Sequence, residues 1–345
     1  VIDKKLLVSA FEKASKAVGE NALLPVFQCF RIKGGIIVAT DGICTIQTQL
    51  KELEALALDC AIPARIFLDL VKNLSVKEVD VVVEDNKLTL SATGLKGKFV
   101  TLDKGALLPI PDFSKVEWKD ISGDFLHDLS LCRLVVSKDE TSGVLCGVRV
   151  QNDRCFGTDK YRVVRCTIKV PTGVDAIFPS KFVDVACSFK SDVSAIGVDK
   201  SSFYIRLKDG TIVSTVLLEG TYLDMDQFFP DLTTLERIIF SVSVKELVER
   251  HVMFLREVRD IDKETLVVVE GTKVTFTTVE DKLGTLEEDV LLTAPPTTNF
   301  TFAINPIFLK EMSGTVKEFY YGSGRGIVAF QRDSFEYLAL TKRNS

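Results

Sequence analysis

Three stretches of this 345-residue chain are written on one template, and that repetition constrains the fold more than anything else in it. Val38-Ala-Thr-Asp-Gly is followed by Ala61-Ile-Pro-Ala-Arg-Ile-Phe-Leu, and about 115 residues on, Phe156-Gly-Thr-Asp-Lys is followed by Ile177-Phe-Pro-Ser-Lys-Phe-Val-Asp. A worn third copy has Phe276-Thr-Thr-Val-Glu and then Phe302-Ala-Ile-Asn-Pro-Ile-Phe-Leu. The first two copies each pair a strand ending in Thr-Asp with a helix that opens behind a proline. Units of this length are ordinary small domains. The connectors 107–116 and 218–235 supply the breaks, so domains are expected at 1–116, 117–236 and 237–345.

Within the first unit, Leu7, Ala10, Phe11, Ala14 and Val18 recur at helical spacing from Asp3 to Val18. Strands are expected at 29–32, 36–39 and 44–50, with Gly34-Gly35 as a hairpin signal, and then a helix from Ala64 to Leu74. Strands at 79–84, 87–91 and 97–101 close the unit. The second unit predicts helices at 124–137 and 180–189, with strands at 144–150, 154–156 and 163–168. The third predicts helices at 245–258 and 306–313 and final strands at 315–320, 326–331 and 336–340. The expected class is α+β: each unit has two amphipathic helices packed on antiparallel sheets.

No apolar run approaches the length of a membrane span, and no charged-then-apolar leader opens the chain, so a cytoplasmic protein without membrane partners is expected. The eight cysteines form no C-x-x-C pair and read as small buried hydrophobes in a reducing compartment. His127 and His251 are the only histidines, which supports neither a His-based zinc site nor a Ser/His/Asp triad. No metal or cofactor is expected. The net charge of −5 argues against wholesale phosphate neutralisation, but not against positive charge gathered on one surface. Basic residues do recur on the helices and their margins: Lys5, Lys13, Lys16, Arg65, Lys72, Arg133, Lys181, Lys190, Lys245, Arg250, Arg256 and Lys310. Singly each reads as part of a solvated face; recurrence in all three units favours a shared role.

Several segments in order resemble the bacterial-type sliding clamp, the β subunit of replicative DNA polymerase. They are Leu23-Leu-Pro-Val-Phe, Thr40-Asp-Gly, Ile62-Pro-Ala-Arg-Ile-Phe, Thr158-Asp-Lys-Tyr-Arg-Val, Leu218-Glu-Gly-Thr-Tyr, Phe228-Phe-Pro-Asp and Tyr337-Leu-Ala-Leu. The resemblance covers nearly the whole chain. It implies three tandem clamp domains forming half of a closed dimeric ring around duplex DNA, held without sequence preference. Twelve helices about 10 Å across, lining a circle, would leave an opening of about 28 Å. The basic residues above, with Lys138, would face that channel. The resemblance also implies a hydrophobic groove for polymerase and clamp-loader peptides, walled by Leu145, Thr158, Tyr161, Arg162, Val163, Pro230, Leu338 and Leu340, with Arg162 at its lip. Ring closure between first and third domains would use Phe99 on an edge strand.

The chain departs from the family pattern in three places. The family's Asp-Gly-His-Arg-Leu reads Asp159-Lys160-Tyr161-Arg162-Val163, and the ending reads Leu340-Thr-Lys-Arg-Asn-Ser345. The resemblance would place the family's DNA-touching tyrosine pair and glutamine at Asp139, Gly143 and Val144, so that contact is either absent or taken over by Lys138. These losses imply a divergent member, from a phage or a distant bacterial lineage.

Other signals read as structure. Gly322-Ser-Gly-Arg-Gly326 precedes a strand and is expected to be a hairpin turn rather than a phosphate loop. The pairs Asp224/Asp226 and Asp260/Asp262 read as surface loops, and the recurring Thr-Asp as a turn whose carboxylate satisfies backbone donors. A metal-dependent nuclease would need clustered carboxylates that the sequence lacks. The alternative within the same fold is a monomeric processivity factor clinging to DNA by charge alone.

Overall fold

Asp3 starts the first helix by accepting hydrogen bonds from the amides of Lys5 (2.7 Å) and Leu6 (3.3 Å). The computed structural model describes residues 1–20, 22–121, 124–168, 173–189, 192–313 and 317–342. Two compact units divide the chain: Val1–Arg133 with Val150–Asn152 and Lys169–Glu219, and Leu134–Arg149 with Asp153–Ile168 and Gly220–Ser345.

The first unit holds helices α1 (Lys4–Ser15), α2 (Ala64–Asn73), α3 (Asp124–Arg133) and α4 (Ser180–Cys187). Its larger sheet has eight strands in the order Asp59–Pro63, Cys29–Lys33, Ile36–Thr40, Cys44–Gln49, Ile212–Val216, Ser202–Leu207, Val193–Val198, Lys119–Asp120. The fourth and fifth pair antiparallel, Val213 opposite Ile46 and Ser214 opposite Thr45, so the first repeat's sheet runs into the second's. Phenylalanines bind helices to sheet. Phe11 lies 4.8 Å from Phe30 and 5.0 Å from Phe67, and Phe203 repeats the arrangement 4.7 Å from Phe178 and 5.8 Å from Phe182. A four-stranded sheet, Ile2–Asp3, Glu78–Glu84, Lys87–Ala92, Leu95–Val100, leaves its last strand as an edge.

The second unit carries α5 (Lys245–Phe254) and α6 (Pro306–Ser313). Six strands of an eight-stranded sheet run here in the order Arg154–Thr158, Arg162–Thr167, Phe335–Leu340, Ile327–Arg332, Glu318–Gly322, Glu236–Ile239. Its four-stranded sheet, Gly284–Leu291, Lys273–Glu280, Thr265–Glu270, Phe300–Ile304, has Gly284–Leu291 as an edge. Phe240, Phe276, Phe302 and Phe319 form its aromatic core, with Phe240–Phe319 centroids 5.6 Å apart.

The structure corrects several sequence expectations. The helix expected over 124–137 stops at Arg133 because Val135 and Val136 turn into the core and Ser137 N bonds Leu145 O at 2.9 Å. A strand expected from Val144 is a 3-10 segment, Glu140–Cys146, broken at Gly143 with φ 57° and followed by the strand Gly147–Gln151. Asp139 caps that segment through Thr141 N at 3.0 Å. The helix expected to reach Val258 ends at Phe254, where buried Leu255 tightens the last turn. The strands Asp59–Pro63 and Asp175–Pro179 run directly into helices, and Phe300–Ile304 is parted from its helix by Asn305 alone, so no run of turn residues announced them. Gly322 to Gly326 is the expected hairpin, with Gly326 at φ 62°.

Burial explains the thiols. Desolvation pushes Cys44 up to about 12, with Asp41 adding to it, and Cys29 up to about 11, so both are neutral hydrophobes at pH 7. His251 is 1% exposed, with Nδ1 2.7 Å from Thr278 Oγ1, and Thr278 in turn 2.7 Å from Thr265. Desolvation lowers its pKa; Glu288, 3.7 Å from Nε2, pulls it back up, and Arg250 lowers it. The folded chain therefore binds this proton less readily than the unfolded chain, whose histidine titrates near 6.5. Its contribution is complete above that value and is lost as pH falls below it. Urea unfolding between about pH 5 and 8 should show this loss, and His251→Gln should flatten it. An unchanged pH profile in the variant would remove His251 as the cause.

Candidate functional site

The Thr-Asp turns are built by local chemistry. Thr158 Oγ1 donates to Arg162 O (2.7 Å) and accepts from Lys160 N (3.2 Å), while Asp159 Oδ1 accepts from Tyr161 N (3.0 Å) and Arg162 N (3.1 Å). The first repeat has the same bonds: Thr40 Oγ1 accepts from Gly42 N at 3.1 Å, and Asp41 Oδ1 accepts from Ile43 and Cys44 N, both at 2.8 Å. The recurring aspartates are turn-formers, as expected.

In the second unit this turn forms one wall of a cavity of about 280 Å3. Arg162–Thr167 pairs with Phe335–Leu340, placing Val163 opposite Leu338, and Leu340 N bonds Tyr161 O at 2.8 Å. Leu145, Thr158, Lys160, Tyr161, Arg162, Val163, Leu338, Ala339 and Leu340 line the cavity with Ile327. Leu223, Met225 and Phe228 complete it from the connector. Asp226 fixes that connector, bonding Arg154 Nη1 at 2.6 Å and Arg165 Nη1 at 2.7 Å. Arg165 also bonds Glu336 at 2.6 Å and stacks 4.1 Å from the Phe229 ring. The Asp226 carboxyl is held low because the two arginines outweigh its desolvation. Below the cavity, Phe156, Val163, Met225, Ala329 and Leu338 form a buried cluster. Around the mouth, Tyr161, Leu223, Phe228 and Leu340 are each about half exposed, an apolar rim in search of cover.

Seven of the eight expected wall residues line this cavity, and Pro230 does not. Pro230 follows the point where the connector turns away after Phe228, and is only partly buried. Arg162 is not a lip residue. Its side chain is 9% exposed; it bonds Asp159 Oδ2 at 2.9 Å, pairs with Glu311 of α6, and lies 4.8 Å from the Phe308 ring. Burial opposes its charge, but Tyr337, Glu311 and Asp159 more than offset this and keep it protonated. Burial raises Glu311 in turn, against the pull of Arg162, and Tyr337 Oη donates to Glu311 Oε2 at 3.0 Å. Sequence reasoning missed Leu223, Met225 and Phe228. Their signal was large apolar residues within an acidic connector, where a loop has no reason to keep them.

The basic residues divide. Lys13 pairs with Asp209, Lys181 with Asp41, Lys72 with Glu12 at 2.7 Å, Arg133 with Asp184 at 2.8 Å, Arg250 with Glu288, and Arg256 with Glu257 at 3.0 Å. Arg256 lies beyond the end of α5. Lys16 bonds Ser188 Oγ at 2.8 Å and sits 3.9 Å above the Phe189 ring. Lys5, Arg65, Lys138 and Lys245 are exposed without a carboxylate partner within 4 Å among the described residues. Lys310 is exposed on α6, and Lys190 lies outside the described residues. Lys5 and Lys72 share an open depression of about 640 Å3 with Lys4 and Lys77.

Phe99 lies on the edge strand Leu95–Val100. Its ring packs 5.3 Å from Phe67 and is half-buried, while Lys96, Lys98 and Val100 of the same edge strand point outward. Alternation along a strand forces this division. Asp226 is taken by arginines, Asp260 by Lys263 at 2.7 Å and Asp262 by Arg259 at 2.7 Å, as expected of structural loops. No helix among the described residues is long and apolar enough to cross a membrane.

Paired helices on antiparallel sheets, repeated along the chain, with an apolar groove where one repeat's strand joins the next, define the sliding-clamp class of fold. The DNA polymerase III beta subunit, N-terminal domain, matches residues 1–104. The beta sliding clamp of Halalkalibacterium halodurans is 23% identical over 329 residues, covering 84% of this chain and 83% of that protein. The crystal structure of the Bacillus subtilis DNA polymerase sliding clamp superposes with a TM-score of 0.84 at 17% identity, over 100% of this chain and 98% of that one. The Streptococcus pneumoniae DNA polymerase III beta chain gives 0.86 at 16%, over 99% and 98%. Over its full length the chain thus shares the fold of the β sliding clamps, and its first 104 residues match the N-terminal domain of the DNA polymerase III β subunit.

Proposed function

We propose that two copies of this chain, each of three tandem clamp domains (1–116, 117–236 and 237–345), close into a ring around duplex DNA and tether polymerase and clamp-loader peptides in the groove. The observation that carries this reading is likeness to sliding clamps over the full chain, together with an apolar groove at the Thr158–Val163 turn. The ring acts by topology and has no catalytic step. It works in the cytoplasm, where the DNA is.

The state of the basic residues suits sliding. A phosphate meeting Lys13, Lys72 or Arg133 must compete with a carboxylate already in place, which keeps each contact weak. Weak contacts without base readout let a duplex move through. Lys5, Arg65, Lys138 and Lys245 supply the uncompensated charge. Ring closure is assigned to two unpaired edges, Leu95–Val100 with Lys96 and Lys98 outward and Gly284–Leu291 with Glu287 and Asp289 outward. Edge strands invite pairing, and opposite charges set the partner.

Native mass should be about twice 38.2 kDa, and protein loaded on nicked circular DNA should be lost when that DNA is linearised. Lys96→Glu with Lys98→Glu should halve the mass and abolish retention. Retention after linearisation at moderate salt would favour the monomeric factor that holds DNA by charge.

A further inference from the structure

This inference rests on the peptide-groove reading. Among the described residues, two charged side chains line the groove, Lys160 and Arg162. Arg162 is buried and neutralised by Asp159 and Glu311. Lys160 is exposed, with no carboxylate within 4 Å among the described residues. Asp139, outside the lining, feels its field only weakly: its carboxyl is held low first by its hydrogen bonds to Thr141 and last by Lys160. Among the described residues the groove thus presents apolar walls, one uncompensated cation and no acid.

The backbone is a second observation. Lys160 has φ 82°, in the left-handed region, where the matching turn of the first repeat has Gly42 at φ 91°. Thr158 and Asp159 impose that conformation through their bonds to the amides of residues 160 to 162. Glycine would sit there without strain, whereas a lysine is strained for as long as the turn persists. Strain retained at the mouth of a binding groove points to a role in binding.

We propose that Lys160 determines specificity in this groove, selecting apolar peptides that carry an aspartate or glutamate side chain beside their hydrophobic anchors. A flexible ammonium at the rim pairs with such a carboxylate as the apolar anchors exclude water around it. Neutral or basic neighbours would gain nothing there.

Fluorescence anisotropy with acetylated, amidated peptides bearing Leu and Phe anchors, and either Asp or Asn beside them, tests this. The Asp peptide should bind the unaltered protein about three- to five-fold more tightly at low salt, with the preference shrinking as salt rises. Lys160→Gln should erase the preference, Lys160→Arg keep it, and Lys160→Glu reverse it. Lys160→Gly should also erase it while raising the urea midpoint, which separates the charge from the fold. Equal binding of the two peptides to the unaltered protein, or a preference surviving in Lys160→Gln, would overturn the proposal. So would a free C-terminal carboxylate preferred over the aspartate side chain. If neither peptide bound, the groove reading itself would fail.

Discussion

Arg162→Ala should lower the unfolding free energy by about 3–5 kcal/mol, the cost of leaving buried carboxylates without their cation. The guanidinium serves Asp159 and Glu311 together, and those side chains are only 18% and 19% exposed. Burial already raises Glu311 above its ordinary value, and removing Arg162, whose charge lowers it, would raise it further. Pairing the change with Glu311→Leu should restore much of the loss, because Asp159 keeps its backbone partners at Tyr161 and Arg162. Urea unfolding of both variants checks this. A loss below about 1 kcal/mol in the single variant would mean that the pair is screened like a surface salt bridge.

Phe228→Ala should weaken binding of an apolar anchor peptide about 10- to 30-fold while moving stability by no more than about 0.5 kcal/mol. The ring is 47% exposed at the rim, so its removal leaves no cavity in the core, but it takes an aromatic wall from the groove. The connector stays in place because Asp226 remains bonded to Arg154 and Arg165. Anisotropy titration and urea melts on the same variant separate the two effects. Unaltered peptide affinity would exclude the connector from the binding surface.

Much of the site was legible in the sequence wherever a residue belonged to a local motif. Thr158, Tyr161, Arg162 and Val163 sit in one turn, and Leu338 and Leu340 on one face of the final strand. Lys160 was visible only as a departure from pattern; its charge gained meaning once Arg162 proved neutralised. Met225 and Phe228 sit in a connector without periodicity, so nothing local said that they turn toward the groove. The described basic residues do lie on or beside helices, but their pairing was invisible. Lys13 and Asp209 are 196 residues apart.

The sequence by itself determined the repeat, the helices and the Thr-Asp turns. Helical periodicity, an N-cap and a side chain bonding an amide two residues on are all settled within a few residues of chain. Only the tertiary structure decided that Cys44–Gln49 pairs with Ile212–Val216, and Arg162–Thr167 with Phe335–Leu340. It also decided that Arg165 meets Glu336, 171 residues away. Backbone hydrogen bonding between strands is nearly indifferent to side chain, so the choice of partner strand rests on which faces the packed helices and phenylalanines leave to be buried. That choice put the cation at Arg162 inside the protein and left Lys160 as the charge at the mouth of the groove.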